Sequence, residues 1–511
     1  MSRHSRVAII GTGFAGLGLA VRLRQTGEHD FTVFERADDV GGTWRDNTYP
    51  GCACDVPSNL YSFSFAPNPD WSRSFSPQPE IFRYLRDCAD RFGVRPHIRF
   101  GHEVLAARWD DDAALWHIET SAGEYTAEFL ACGMGPLSDP SIPDLPGLDT
   151  FEGKVFHSAR WDHDHDLGDE RVAVIGTGAS AIQFVPKIQP LVGQLHLFQR
   201  TAPWVVPRTD RRFSLRQRWL MRRLPGFQRA LRTAIYWSRE TYVWGFLRPK
   251  VIRRLQSLAT AHVRRQVHDP ELQAKLLPDY TIGCKRILIS NDYYPSLTQP
   301  NAEVVTEGVV EVGPRSVVAA DGSTREVDTI IFGTGFHVTD PASADRLYGR
   351  DGVLLRDRWS DGMSAYLGGA VSGFPNMFLL IGPNTGLGHT SMVFMIESQI
   401  AYLLDCLRVM SDRGLASVEV RPEVQDAYND EIQSQLVDTV WNQGGCRSWY
   451  MDENGRNTTV WPTYTWRFRR MTRRFDPDSY VLRRRSPAHA DAVQQQGEHV
   501  GVAGDGEPSR A

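Results

Sequence analysis

Two glycine-rich turns, RVAIIGTGFAG at 6–16 and RVAVIGTGASA at 171–181, constrain this chain more than any other feature. Each follows a run of β-branched and apolar residues that reads as a strand, and each opens an apolar stretch that reads as a helix. A second strand follows each helix, FTVFE after the first and QLHLFQR after the second. Strand, glycine turn, helix and strand make a βαβ unit, and that context gives the G-x-G-x-x-G pattern its meaning. Gly11 permits the tight turn, Gly13 lets a pyrophosphate approach the backbone, and Gly16 allows the helix to press on the strand. Gly176, Gly178 and Ala181 fill the same slots in the second unit. The helix N-terminus in each offers free N–H groups to phosphate. The implied fold class is α/β, with two doubly wound Rossmann-like dinucleotide-binding domains.

The two units differ at the tip of the second strand. Glu35 lies 24 residues after Gly11, and Arg200 lies 24 residues after Gly176. A carboxylate there accepts hydrogen bonds from a ribose 2′-OH and repels a 2′-phosphate, whereas a guanidinium attracts that phosphate. The first site therefore suits the adenosine half of FAD or NAD, and the second suits NADP. Two dinucleotides in one chain make sense when the first is redox-active, which selects FAD reduced by NADPH.

The chain has 511 residues and room for two or three domains. A net charge of −4 gives no general reason to expect a nucleic-acid partner. The start, MSRHSRVAII, reads as a strand rather than a signal peptide, and no run is long enough for a membrane span. Seven scattered cysteines, odd in number and without C-x-x-C, point to a reducing cytoplasm and no disulfide framework. Residues 211–265 depart from the rest, with fifteen Arg or Lys, one acid (Glu240), and Trp219, Tyr236, Trp237, Tyr242 and Trp244 interleaved. A membrane-surface or nucleic-acid helix is one reading. The reading preferred on sequence is a helical insertion whose aromatics pack on the second domain while its arginines are solvated. Peripheral membrane contact stays open. The tail 486–511 lacks apolar periodicity and is expected to be disordered.

Electrons on a flavin have three outlets: a protein disulfide, a partner protein, or O2. No cysteine pair is spaced for the first. The connector FEGKVFHSARWD, between the two units, bears on the other two. Its Phe151, Gly153, His157, Trp161 and Asp162, flanked by a glycine turn on each side, resemble the signature of the type I Baeyer–Villiger monooxygenases, class B flavoprotein monooxygenases. The resemblance spans about residues 5–480. It implies FAD, NADPH and O2, a flavin C4a-peroxide, and a small-molecule ketone converted to an ester or lactone, with sulfoxidation as a side activity. The alternatives are an N- or S-oxygenating flavin-containing monooxygenase and, more distantly, an NADPH-dependent flavoprotein reductase for a partner protein.

The resemblance also assigns residues. Arg286 in GCKRILIS falls where the family has its catalytic arginine, and Lys285 where it has a lysine for the NADP phosphate. Asp55 in GCACDVPS falls on the aspartate that pairs with that arginine. His157 is given a coupling role, with direct acid–base catalysis as the lesser reading. His157 and Trp161, four apart, would share a face if their segment is helical. Gly42, Thr43 and Trp44 in GGTW resemble the flavin-contacting loop, Thr201 follows Arg200 as a 2′-phosphate ligand, and Trp449 resembles a loop tryptophan closing over NADP. No metal is implied. The expected organisation is an FAD domain over 1–150 and 336–485, and an NADP domain over 151–335 with a helical insertion at about 210–275.

Overall fold

The computed structural model describes residues 3–485; the expected disorder of 486–511 lies outside the described residues. Two sheets organise the chain. The first is built on Arg3–Ile10, which pairs in parallel with Phe31–Phe34 on one side and Gly123–Cys132 on the other. Val104–Asp110 and Leu115–Thr120 extend it as antiparallel neighbours, and Leu347–Tyr348 and Met377–Leu379 add strands from far along the sequence. The second sheet is wholly parallel. Its central strand Arg171–Ile175 lies between Gln194–Phe198 and Thr329–Phe332, and Ala302–Val305 and Lys154–His157 close its two edges.

Long apolar strands of this kind require cover on both faces. In the first sheet the helices Phe14–Thr26 and Met392–Arg413 pack against each other and cover the face that carries Val7 and Ile9, while Leu347, Leu355, Val371 and Phe374 cover the opposite face, that of Ala8 and Ile10. The strand ends of both sheets are aligned in register. Ile10 stands opposite Phe34 and Cys132, and Ile175 opposite Phe198 and Phe332. Each glycine turn therefore leaves its sheet at the carboxyl edge, beside a second glycine on the neighbouring strand. Gly133 N–H donates to the Ile10 carbonyl at 2.8 Å, and Gly333 N–H to the Ile175 carbonyl at 2.8 Å.

The connector is part of the second sheet. Lys154–His157 forms its edge strand, followed by a single 3₁₀ turn over Ser158–Arg160 and an extended Trp161. The helical condition under which His157 and Trp161 would share a face is therefore not met. Pairing with Thr329–Phe332 holds the backbone extended, and the two rings point to different neighbours.

The insertion is helical, over Leu215–Arg223, Pro225–Glu240, Val243–Phe246 and Pro249–Gln266. Its expected packing needs correction. Tyr236 is buried, but it stacks on Phe394 of the long helix under the first sheet, at 4.7 Å. Trp219, Trp237, Tyr242 and Trp244 are all exposed. The one acid, Glu240, is buried and accepts from the Thr465 backbone N–H at 3.2 Å and from its hydroxyl, with His389 at 3.4 Å. It anchors the insertion to the first sheet's side of the molecule and leaves the segment's cations without an acid of their own on the outside.

Candidate active site

The glycine turns behave as their spacing requires. Gly11 and Gly176 have φ of 90° and 109°, conformations that disfavour a side chain. A Cβ at Gly16 would lie 1.9 Å from the Gly11 carbonyl oxygen, so nothing larger lets the helix sit this close. The middle glycines are different. A Cβ at Gly13 would meet only the Gly42 Cα, at 3.9 Å, and one at Gly178 only the Gly333 oxygen, at 3.8 Å. Each faces open space of the sort a pyrophosphate would enter. Neither helix that follows has a side-chain N-cap; the first turn of Phe14–Thr26 keeps its N–H groups for an anion, whereas in Ala181–Ile188 the Ile182 and Gln183 N–H groups already donate to the Gly178 and Ser180 carbonyls, at 3.2 and 2.9 Å. The chain thus fits a dinucleotide at both turns.

Glu35 sits just past its strand, 4% exposed. Its carboxylate accepts from the Thr12 N–H at 3.1 Å, the Thr12 hydroxyl and the Ala37 N–H at 3.0 Å, and pairs with Arg45 at 2.9 Å. Ribose hydroxyls can take the place of the rotatable Thr12 hydroxyl. The Gly41–Trp44 turn lies alongside, with Gly42 backing on Gly13 and Thr43 opening a short helical turn. Trp44 is buried there and donates from Nε1 to the Tyr61 hydroxyl at 3.0 Å. Arg45, one residue beyond the motif, is the partner the sequence reading missed.

Arg200 is exposed, and among the described residues no carboxylate pairs with it. Lys285 comes close enough to feel its charge. Burial and then repulsion from Arg200 hold the Lys285 ammonium below its ordinary pKa. Tyr280 joins the two segments: its hydroxyl donates to the Ala202 carbonyl at 3.1 Å, and Lys285 Nζ lies 5.1 Å from its ring centre. Thr201 turns inward, its carbonyl accepting from the Thr177 hydroxyl of the glycine turn at 3.2 Å. Two neighbouring cations, with Asp279 the lesser influence on Lys285, suit a phosphate dianion.

Arg286 and Asp55, 231 residues apart, form a two-point pair: Nε donates to Oδ2 at 2.8 Å and Nη2 to Oδ1 at 2.7 Å. Asp55 raises the arginine's already high pKa, so the guanidinium stays charged at any working pH. It is nonetheless 33% exposed and accessible to a ligand. Tyr450, not singled out by sequence, is buried beside the pair with its hydroxyl unpartnered among the described residues. Burial pushes its phenol up to about 12, and the Arg286 charge pulls the other way. Trp449 is exposed, with its ring 4.4 Å from that of Tyr450.

The loop bearing these aromatics is fastened to the arginine segment. Thr281 N–H donates to the Gly444 carbonyl at 2.9 Å, and a disulfide joins Cys284 to Cys446. That bond corrects the reading that no disulfide is made. Its cysteines lie 162 residues apart, a pairing that local spacing cannot reveal. The five other cysteines are free and buried.

His157 is 2% exposed at the end of its edge strand, its Nδ1 accepting from the Ala159 N–H at 3.1 Å. Burial lowers its pKa to about 4, so the imidazole is neutral near pH 7. Its ring meets Phe336, where the chain leaves the second sheet, at 5.7 Å. Trp161 meets Phe184 at 5.3 Å, and Phe184 meets Tyr49 of the first unit at 6.1 Å. The connector therefore touches both crossings between the two sheets.

Paired dinucleotide turns, with an arginine of the second unit held by an aspartate of the first, suit a flavin-dependent oxidoreductase. A family model described as flavin-binding monooxygenase-like matches residues 4–348, and the chain belongs to that family. It is 55% identical to a Baeyer–Villiger monooxygenase of Streptomyces coelicolor, over 96% of this chain and 95% of that one. It is 54% identical to a Baeyer–Villiger monooxygenase of Pseudomonas aeruginosa, over 94% of this chain and 92% of that one. Among solved structures, that of OTEMO in complex with FAD and NADP superposes with a TM-score of 0.85 at 29% identity, over 94% of this chain and 100% of that one. These similarities make it an oxidoreductase of the monooxygenase class, of Baeyer–Villiger type.

Proposed function

We propose that the chain uses FAD and NADPH to insert one oxygen atom of O2 beside a ketone carbonyl, giving an ester or lactone. The two-point pair of Arg286 with Asp55 supports this reading, since it holds a permanent cation where a segment of the second unit meets one of the first. FAD is assigned to Gly11, Gly13, Gly16, Glu35, Gly42, Thr43 and Trp44. NADPH is assigned to Gly176, Gly178, Ala181, Arg200, Thr201, Lys285 and Trp449. The domain division follows: FAD over 1–150 and 336–485, NADP over 151–335.

Bound FAD, reduced by NADPH, supplies the electrons that activate O2. The chain's residues do the remaining work. Arg286 holds negative charge on oxygen as it develops near the substrate carbonyl, a task for a preorganised donor in a dry cleft. Asp55 orients the guanidinium through two parallel bonds and can release it toward the substrate. His157, buried and neutral, couples the second sheet to the crossing at Phe336 rather than carrying a proton. Sulfide oxidation accompanies the reaction as a side activity.

The test is Arg286→Ala, assayed for flavin bleaching by NADPH under nitrogen and for products from ketones, amines and sulfides in air. Bleaching should persist while ester formation falls by about three orders of magnitude, as on loss of a main oxyanion donor. Ester at near wild-type rate removes the arginine from this role. N-oxide as the sole wild-type product favours a nitrogen-oxygenating enzyme, and turnover only with an added protein acceptor favours a reductase.

A further inference from the structure

We propose that the outer face of the insertion, residues 211–265, docks on an anionic phospholipid surface. The charge is one-sided. Among the described residues only Arg222 of its fifteen cations has an ion-pair partner, Asp70 at 2.6 Å; Arg232 turns inward onto the Asn59, Leu60 and Ser62 carbonyls, and the segment's single acid is buried under Thr465 and His389. Elsewhere arginines are commonly paired, as in Arg171 with Asp328 and Arg350 with Glu419. The helix Pro249–Gln266 shows the arrangement most plainly. Lys250, Arg253, Arg254, Leu258, Arg264 and Arg265 are exposed at the spacing of one helical face, while Ile252, Ala259 and Val263 are buried on the other. Because the chain as a whole carries −4, the rest of the molecule has the opposite sign.

Cations alone would suit any polyanion, and the apolar residues between them decide the partner. Leu215 is 82% exposed and Leu258 64%, with Trp219, Trp237 and Trp244 each about half exposed. Leu215 and Trp219 are one helical turn apart and share a face with Arg222. Arg248 lies over the Trp244 ring at 5.4 Å and Arg239 over Tyr242 at 5.3 Å. Nucleic acid would engage the arginines and leave the leucines in water. An interfacial bed of headgroups takes both, with indoles at the depth they favour and cations on the phosphates. A symmetric pairing of two copies would set the cations against each other. Among the described residues no helix is long and apolar enough to cross a membrane, so the contact is peripheral.

The placement suits a lipophilic substrate. Phe246, on the insertion's inner side, stacks on Trp441 at 5.1 Å and presses with Ile252 on Gly283, three residues before Arg286. A surface that rests on lipid thus backs directly on the arginine segment.

The test is co-sedimentation of the purified holoenzyme with phosphatidylcholine vesicles, with and without phosphatidylglycerol. Its readout is independent of what the enzyme oxygenates. Partition should rise at least about tenfold with the anionic lipid and fall again with salt. R253E/R254E/R264E should cancel that gain. W219A/W237A/W244A should lower partition by about tenfold, and both variants should keep wild-type turnover of a water-soluble substrate. Equal partition to neutral and anionic vesicles overturns the proposal, as does a triple tryptophan variant that binds like wild type. So does tight retention of duplex DNA that the tryptophan variant keeps, or a dimer that the tryptophan variant dissociates.

Discussion

The two dinucleotide cradles share a backbone and differ in how their deciding charge is held. Gly11 and Gly176 adopt the same left-handed turn, each backed by a glycine on the adjacent strand. Glu35, however, is buried and already bound by Thr12, Ala37 and Arg45. Arg200 is exposed, with Lys285 as its uncomfortable neighbour. The phosphate-cradling part of such a site is set by steric limits and is interchangeable between the units. On the proposed reading, cofactor choice rests on the charge at the strand tip, and cofactor residence on how firmly its neighbours fix that charge. A prefixed carboxylate suits a resident FAD. Two loosely held cations suit an NADPH that arrives and departs.

The largest effect should come from loosening the firm site. Glu35→Ala removes a buried acceptor and leaves Arg45 with the Asp46 carboxylate and the Asp39 carbonyl, which should weaken FAD binding by about 4 kcal/mol, roughly a thousandfold. Titration of the flavin-free protein with FAD, followed by quenching of flavin fluorescence, measures it. A loss of tenfold or less would mean that the carboxylate is not the ribose anchor and that the contrast with Arg200 is misplaced.

A second prediction probes the connector between the cradles. His157 has its pKa lowered from 6.5 to about 4 by burial. Above pH 6.5 both folded and unfolded forms are neutral there, and the histidine imposes no pH dependence. As pH falls from 6.5 toward 4 the unfolded chain takes up a proton that the folded one refuses, so stability drops, by about 3 kcal/mol in all. His157→Gln should flatten that part of the thermal-midpoint profile. Other histidines with lowered pKa, such as His196, remain in both proteins and cancel in the difference. An unchanged slope removes His157 as its source.

What the sequence could and could not reveal follows from the reach of each interaction. Glu35 and Arg200 were legible because a βαβ unit fixes the offset from glycine turn to strand tip, and nothing distant disturbs it. The pairing of Asp55 with Arg286 was accessible only through family resemblance, since 231 residues separate them and either alone reads as an ordinary surface group. Tyr450 and the Cys284–Cys446 bond were missed for the same reason: both arise where a loop near the C-terminus folds onto the arginine segment. A shared face for His157 and Trp161 required a helix, and the segment is extended because Lys154–His157 takes its conformation from the strand beside it. Sequence assigns the insertion's tryptophans to packing because aromatic residues usually pack, whereas in the fold Tyr236 is buried and Trp219, Trp237, Tyr242 and Trp244 are exposed.

The open site offers the third prediction. Arg200→Ala should raise KM for NADPH by about thirtyfold, about 2 kcal/mol, and leave KM for NADH within twofold, because only the 2′-phosphate distinguishes the two. A parallel rise for NADH would place Arg200 on a part of the nucleotide common to both and would erase the contrast in charge between the cradles.

The smallest effect sharpens the contrast most. Lys285→Ala should raise KM for NADPH by about tenfold, less than Arg200→Ala, because a half-buried ammonium gives a single point of attraction where a guanidinium gives two. The pair should not be additive. With both present, part of the phosphate's attraction is spent relieving their mutual repulsion; with Arg200 gone, Lys285 loses that repulsion and regains its proton affinity. In a double-mutant cycle, the loss on removing both should therefore differ from the sum of the single losses. The pH profile supplies the independent check. In the wild type, KM for NADPH should climb at a pH below the ordinary lysine range as Lys285 deprotonates, and in Arg200→Ala that climb should move to higher pH. Strict additivity with an unshifted profile would mean that the two cations act on different parts of the nucleotide, and that the second cradle is set by one side chain, as the first is.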